Sequence, residues 1–529
     1  MEKHFIISTT IVALFILMLT ACDKDFLDLK HPNRLTDAEL KTPERIRQLE
    51  VGMYDRLTLV YNYYYQVMNS HLPGEYKARI DEATRDMISA WYFNVRPFSN
   101  FFVTTIYSGL YGIHPNANRI ITYLENKEGT VNQLPEREFN LILGSAYFMR
   151  AYSHFVLLHM FGRPFDGTDK WGIVIHDKII SVHKDFEKPR AKPSEVYAFI
   201  ESDLIKAKEI LLKSSELLPE EQGRPTRGAA TALLGKLYVF RQEYSKAAIE
   251  FELFLSENPD KELLPYYGDN FHGKSDNGPE SIFELQFADL VPTSPWMGGG
   301  SANNFQIFMG GHGMGLNIIG VPVEIMEGFD PRDIRFSETV YSAGPTRTYI
   351  FHGDTIAIRD SLFFTYPPEP VRLNHRNTYT PKKYISNHRS ANNPGGLAPD
   401  VSDENQVVMR VAEVYMLYAE ALARLNRVSE ASEYLNRVMR RARGYWYYEE
   451  SPFDYTGTDQ EEFMALLMEE KRKEFIGEQV RWWDVLRWGI VEDEVARVPG
   501  RIWHDRGQAF PIPAREIDNN RFMIQNPGY

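Results

Sequence analysis

Cysteine is what this chain has least of: Cys22 is the single one in 529 residues. One thiol excludes an intrachain disulfide framework and a cysteine-built metal cluster. Positive charge is short too. The 59 Lys and Arg stand against 72 Asp and Glu, a formal net charge of −13. A generic nucleic-acid binder is therefore excluded, because phosphate contacts need clustered cations. Familiar catalytic patterns are missing: there is no H-E-x-x-H and no G-x-S-x-G, and the glycine-rich runs at 298–300 and 309–315 miss the G-x-G-x-x-G spacing. Residues 268–275 do fit G-x4-G-K-S. Leu264-Pro265-Tyr266-Tyr267 before them and Asp276-Asn277-Gly278-Pro279 after them supply neither the strand nor the helix that aims amides at a phosphate, so the match reads as chance.

Residues 5–19 form a mostly apolar run behind Met1-Glu2-Lys3-His4. It is too short for a comfortable membrane span and fits a secretory signal. The run ends in Leu19-Thr20-Ala21-Cys22, which resembles a bacterial lipobox. The expectation is a signal peptide over 1–21, acylation of Cys22 and a mature chain of 22–529. Two acyl chains already suffice for stable anchoring.

What is present is a helical building unit. In residues 226–259, Leu234, Gly235, Tyr238, Ala247, Phe251 and Pro259 fall at tetratricopeptide spacing, with a turn at Arg241-Gln242-Glu243. Small Gly235 and Ala247 let two antiparallel helices approach, while Tyr238 and Phe251 fill the groove beside them. One such hairpin cannot bury its own apolar face, so it needs neighbours. Residues 140–161, apolar nearly all round, predict a core helix partnered by 193–212, and Leu143-Gly144-x2-Tyr147 repeats the same spacing. Arg150, His154 and His159 within it lack metal-ligand spacing and read as satisfied core groups. Further helices are expected from Thr42-Pro43 to about Gln66, from near Thr104 through Asn116, over 406–443, and over 461–489. Glu474 and Glu478 lie one turn apart on the last, crowded by Arg472, Lys473, Arg481 and Arg487, so they read as structural ion pairs rather than a glycosidase pair.

Between these helices the texture changes. Residues 69–100 are broken by Pro73, Gly74 and Pro97, and about 260–405 are dense in Gly, Pro, Asn and Asp. Aromatics, 13% of the chain, recur in both. Sugars present flat C–H faces to rings and hydroxyls to amides and carboxylates. Asp86, Trp91, Tyr92, Asn94 and Arg96 offer that mixture in the first segment, and Trp296, Asn303, Asn304 and Phe305 in the second. A further cluster, Tyr445-Trp446-Tyr447-Tyr448, reads mainly as packing.

In order and content these blocks resemble the SusD/RagB family of outer-membrane nutrient-binding lipoproteins. The resemblance is carried by Cys22 with Asp25-Phe26-Leu27-Asp28, Gly144 to Tyr152 running into Phe161-Gly162-Arg163-Pro164, Gly223-Arg224-Pro225-Thr226, Phe329-Asp330-Pro331-Arg332-Asp333, Arg410 to Val414 with Tyr418-Ala419-Glu420-Ala421, Glu470-Lys471-Arg472 with Glu474, Arg481-Trp482-Trp483-Asp484, Arg487-Trp488-Gly489, and the closing Gln525-Asn526-Pro527-Gly528-Tyr529. Gln479 stands where glycine is frequent in that family. The resemblance implies a mainly α, tetratricopeptide-like scaffold in one domain over 22–529, with an irregular ligand-binding insertion at about 260–405. The missing catalytic and ligand spacings assign no catalytic residue, cofactor or metal and favour a non-enzymatic receptor; the resemblance implies that it hands a nutrient, an oligosaccharide above all, to a SusC-like TonB-dependent transporter. The implied location is the outer membrane, anchored through Cys22 and facing outward. A peptide-binding member is the alternative, with a lipid-anchored glycoside hydrolase behind it.

Overall fold

The computed structural model describes residues 37–61, 64–78, 85–98, 100–271, 275–287, 319–341, 348–351, 354–357, 378–384 and 404–529. The expectations for the signal segment, Cys22, Trp296, Asn303, Asn304 and Phe305 lie outside the described residues. The longer helices are α1 (Pro43–Tyr61), α2 (Tyr64–His71), α3 (Arg85–Trp91), α4 (Phe101–Tyr111), α5 (His114–Glu125), α6 (Glu136–Phe161), α7 (Pro193–Ile210), α8 (Arg227–Phe240), α9 (Tyr244–Glu257), α10 (Val411–Arg424), α11 (Val428–Ala442), α12 (Gln460–Glu474) and α13 (Arg481–Trp488).

The fold is a stack of hairpins. Helix α6 packs on α7, α8 on α9 and α10 on α11, and contacts from α7 to α8 and from α9 to α10 join the pairs. The small residues sit where the helices touch. A Cβ at Gly235 would come within 2.6 Å of the Phe251 ring, and one at Gly144 within 2.6 Å of Leu211. Helix α6 is long and apolar enough to cross a membrane, but its apolar window is wholly buried inside the protein. It is the central core helix, and each fully buried Leu or Phe along it contributes about 1.5–3 kcal/mol.

Three boundaries differ from the sequence expectations. Helix over Pro43–Tyr61 and Tyr64–His71 covers the first expected helix within the described residues. The helix expected near Thr104 is two helices, α4 and α5, broken at Gly112-Ile113; α5 restarts with Pro115, which lacks an N–H and suits a first turn. Residues 406–410 are not helix but strand β8, leading directly into α10. The stretch 461–489 is interrupted between α12 and α13, where Gly477 has φ 78° and Gln479 has φ 64°. A Cβ at Gly477 would lie 2.1 Å from the Tyr76 hydroxyl, so the corner is built around a glycine.

Strands are few. In chain order they are β1 (Lys77–Ala78), β2 (Ser281–Leu285), β3 (Ile319–Pro322), β4 (Val340–Tyr341), β5 (Thr348–Phe351), β6 (Asp354–Ala357), β7 (Thr378–Pro381) and β8 (Gln406–Arg410). They form a four-stranded sheet of order β1-β3-β7-β4, a β2-β8 pair and a β5-β6 pair. The first sheet sets Lys77 opposite Gly320 and Ala78 opposite Ile319, so the irregular middle of the chain is tied to the early segment.

A buried charge network joins β8, α11 and α12. Arg410 donates to Glu280 at 2.8 Å, to Glu474 at 2.7 Å and to Glu478 at 2.7 Å. Arg441 donates to Glu280 at 2.6 Å and also pairs with Glu474. Arg335 joins Asp333 at 2.6 Å and Glu470 at 2.5 Å. Burial pushes Glu474 upward, but Arg441, Arg410 and Arg335 outweigh it and hold the carboxylate down at about 2.

Candidate ligand-binding site

The candidate site is built on the short helix α3 and the turn that ends it. The Phe93 N–H donates to Ala90 O at 3.0 Å and the Asn94 N–H to Ser89 O at 2.7 Å. Phe93 itself has φ 52°. These are the paired bonds and left-handed corner that close a helix, usually with glycine at the corner. A side chain there costs about 1–2 kcal/mol. Packing offsets it: the buried Phe93 ring stacks 5.7 Å from Trp482 and meets Trp503 edge-on at 5.2 Å. Gly507 makes the room, since a Cβ there would fall 2.5 Å from Phe93.

From this corner the side chains alternate. Trp91, Phe93 and Val95 are buried, while Tyr92, Asn94 and Arg96 are exposed. The inward and outward sets thus separate with a period of two. Trp91, expected among the ligand contacts, is only 4% exposed. Its ring faces inward, with the Arg501 guanidinium 4.5 Å from its centroid and Lys77 Nζ at 5.6 Å. Arg501 also clamps the segment from below, donating to Leu72 O at 2.6 Å and to Trp91 O at 3.2 Å. Burial pushes this guanidinium down to about 9, against the pull of Glu494. Trp91 therefore packs inward, and the outward surface is Tyr92, 47% exposed, with Asn94 and Arg96.

Asp86 is partly committed elsewhere. Its Oδ2 accepts the Phe101 N–H at 2.9 Å, and its carbonyl accepts Ser89 Oγ–H at 2.5 Å. Asn100 extends the strap: its Nδ2 donates to Ser89 Oγ at 3.1 Å, and its Oδ1 caps α4 through Val103 N–H at 3.0 Å. Asp86 thus ties α3 to the start of α4. Two rings on this segment escaped the sequence reading: Phe98 is 84% exposed and Phe101 56%. The repeated Phe around Pro97 in Arg96-Pro97-Phe98-Ser99-Asn100-Phe101 was the available signal. Of the eight residues expected to contact ligand, the structure gathers five on one segment; Trp296, Asn304 and Phe305 lie outside the described residues.

Other features flagged by sequence have structural roles. Glu474 and Glu478 are both engaged by Arg410 in the buried network. His154 Nδ1 bonds Arg150 O at 2.8 Å, and His159 bonds Phe155 O at 2.7 Å and the Tyr197 hydroxyl at 2.9 Å. Arg150 pairs with buried Asp203 at 2.7 Å. Around the G-x4-G-K-S match, residues 267–270 form a single 3-10 turn with no preceding strand. In the 445–448 cluster Tyr447 is buried, but Tyr445, Trp446 and Tyr448 stay 40–47% exposed.

Two family models match the chain: "SusD family" over residues 322–509, and "Starch-binding associating with outer membrane" over residues 25–239. A SusD-like protein of Bacteroides ovatus is 25% identical over 517 residues, covering 92% of this chain and 82% of the relative. A SusD-like protein of Formosa agariphila is 25% identical over 456 residues, covering 81% of each. Among solved structures, surface glycan-binding protein A from Bacteroides fluxus superposes with a TM-score of 0.72 at 20% identity, covering 92% of this chain and 100% of that one. A laminarin-binding SusD-like protein gives 0.71 at 20% identity, with the same coverage of 92% and 100%. At this identity the structural likeness speaks to the fold.

Proposed function

The chain belongs to the SusD/RagB family, and from that premise we propose that it is a carbohydrate-binding protein of the outer membrane that holds an oligosaccharide without altering it. The observation that carries this reading is the outward row Tyr92, Asn94 and Arg96, flanked by the exposed rings of Phe98 and Phe101. An aromatic face stacks on the C–H face of a sugar, while an amide and a guanidinium bond its hydroxyls. The row is held rigidly by Trp91, Phe93 and Arg501, so little conformational entropy is lost when a ligand docks.

The binding of glycans by family relatives supports the carbohydrate class. Acylation at Cys22 and delivery to a SusC-like transporter extend the proposal. Titration calorimetry of the mature chain against neutral and charged oligosaccharides and against peptides tests it. Saturable heat with at least one glycan and none with peptides is expected, with the glycan recovered intact. Cleaved glycan, or binding confined to peptides, overturns the reading. Mass spectrometry of the membrane-extracted protein tests the anchor, and co-purification of a TonB-dependent transporter tests the partner.

A further inference from the structure

A cavity of about 440 Å³ lies between α4, α5, the loop from Val174 to Phe186 and the short C-terminal helix Ala514–Asn519. It shares no residue with the row at Tyr92, Asn94 and Arg96, and the inference drawn from it does not depend on the function proposed above. Its size falls within the range of small-molecule sites. One wall is continuous aromatic surface. Tyr107 lies 4.7 Å from Tyr111, Tyr111 5.5 Å from His176, and His176 5.4 Å from Phe186, ring centroid to centroid. The Tyr111 hydroxyl donates to Val174 O at 3.0 Å, which fixes that ring against the loop. Burial holds His176 down to about 4, so at neutral pH it adds a neutral ring rather than a competing cation.

Glu516 completes the lining. It is half-buried and makes no side-chain hydrogen bond or ion pair with any described residue. It lines the same cavity as Tyr107 and Tyr111. Its sequence neighbour Arg515 is exposed. Arg119 and Lys178 share the cavity lining but form no ion pair with Glu516. Two further lining groups, His114 and His176, are buried and each keeps an Nδ1 without a partner. Ser153 Oγ–H donates to Arg150 O at 3.0 Å and therefore receives the His114 Nε2–H at 2.8 Å, leaving Nδ1 as an acceptor.

Ring faces attract cations, and a half-buried carboxylate with no counter-ion does the same. We propose that this cavity binds a small organic ammonium, its charge facing the Tyr107–Tyr111 wall and paired with Glu516. Calorimetry on the full mature chain with choline, and with its uncharged carbon isostere dimethylbutanol, tests the assignment. Choline should bind saturably, and the isostere about tenfold more weakly or worse. Glu516→Gln should weaken choline by about tenfold while leaving the melting temperature and the glycan titration unchanged. Ser108→Trp, which places a ring into the cavity from the exposed face of α4, should abolish choline binding and serves should Glu516→Gln fail to fold. No choline binding by the wild type, equal binding of the isostere, or wild-type affinity in either variant overturns the proposal.

Discussion

Phe93 holds the left-handed corner that closes α3, and what its ring contributes can be measured. Removing it by Phe93→Ala leaves a hole between Trp482 and Trp503, with an expected loss of about 3–5 kcal/mol in urea titrations. Gln479 is the contrasting case. It also has positive φ, at 64°, yet among the described residues its side chain makes only one bond, Nε2–H to Gly477 O at 3.1 Å. Gln479→Gly should therefore shift stability by less than about 1 kcal/mol, because relief of backbone strain offsets the lost bond and the greater freedom of the unfolded chain. Gly235→Ala should cost more, about 1–3 kcal/mol, since the new methyl meets the Phe251 ring at 2.6 Å deep in a helix contact. At this scale the tetratricopeptide glycine was legible in the sequence, because close helix approach leaves a spacing signature. The fate of Trp91 was not. Its partner Arg501 lies 410 residues downstream, and nothing local announces such a contact. The alternation Trp91-Phe93-Val95 against Tyr92-Asn94-Arg96 was there to read, but a polar-looking segment broken by prolines hid it.

At the scale of elements, the long hairpins follow from their sequences and the interruptions do not. Helix α6 declares itself by length and all-round apolarity, and α8 with α9 by repeat spacing. Strand β8 looked helical because it runs straight into α10 and its own five residues carry no period; its pairing with β2 across more than a hundred residues decides the matter. The charged residues of α12 show why composition alone misleads. Glu470, Lys471, Arg472, Lys473 and Glu474 look like a solvated face, yet all are buried. Three of these charges are compensated from another element: Arg335 for Glu470, Asp484 for Lys471, and Arg410 with Arg441 for Glu474; Arg472 and Lys473 pair with Glu469 and Glu470 on their own helix. Glu474→Gln leaves those arginines short of a counter-charge, and an expected loss of about 3–5 kcal/mol should appear in the denaturant midpoint with the slope unchanged. A gain in stability would contradict this account of the network.

For the whole molecule, the buried histidines set the response to acid. His154 and His159 are held down to about 3, and His71 and His176 to about 4, in each case chiefly by burial. A group whose folded value lies below its ordinary 6.5 binds its proton more readily when unfolded. The stability it contributes is therefore present above about pH 6.5 and is lost as pH falls toward 3–4. At pH 5 each such histidine should cost about 2 kcal/mol; buried Glu75, which burial pushes up to about 8, takes its proton over the same range and offsets part of that loss, so with four histidines against one carboxylate thermal melts should still decline by pH 5. Glu474 adds to the loss only further down, between its ordinary 4.5 and its folded value of about 2. A melting temperature flat from pH 7.5 to 5 would show that these rings are not buried neutral. The surface on which the functional reading rests is tested by titrating one recognised glycan into wild type, Tyr92→Ala and Tyr448→Ala. Tyr92 and Tyr448 are equally exposed, at 47%, so the pair separates a specific site from general ring exposure. The account predicts at least about tenfold weaker binding for Tyr92→Ala, with an unchanged melting temperature and an unchanged Tyr448→Ala; wild-type affinity in Tyr92→Ala would contradict it.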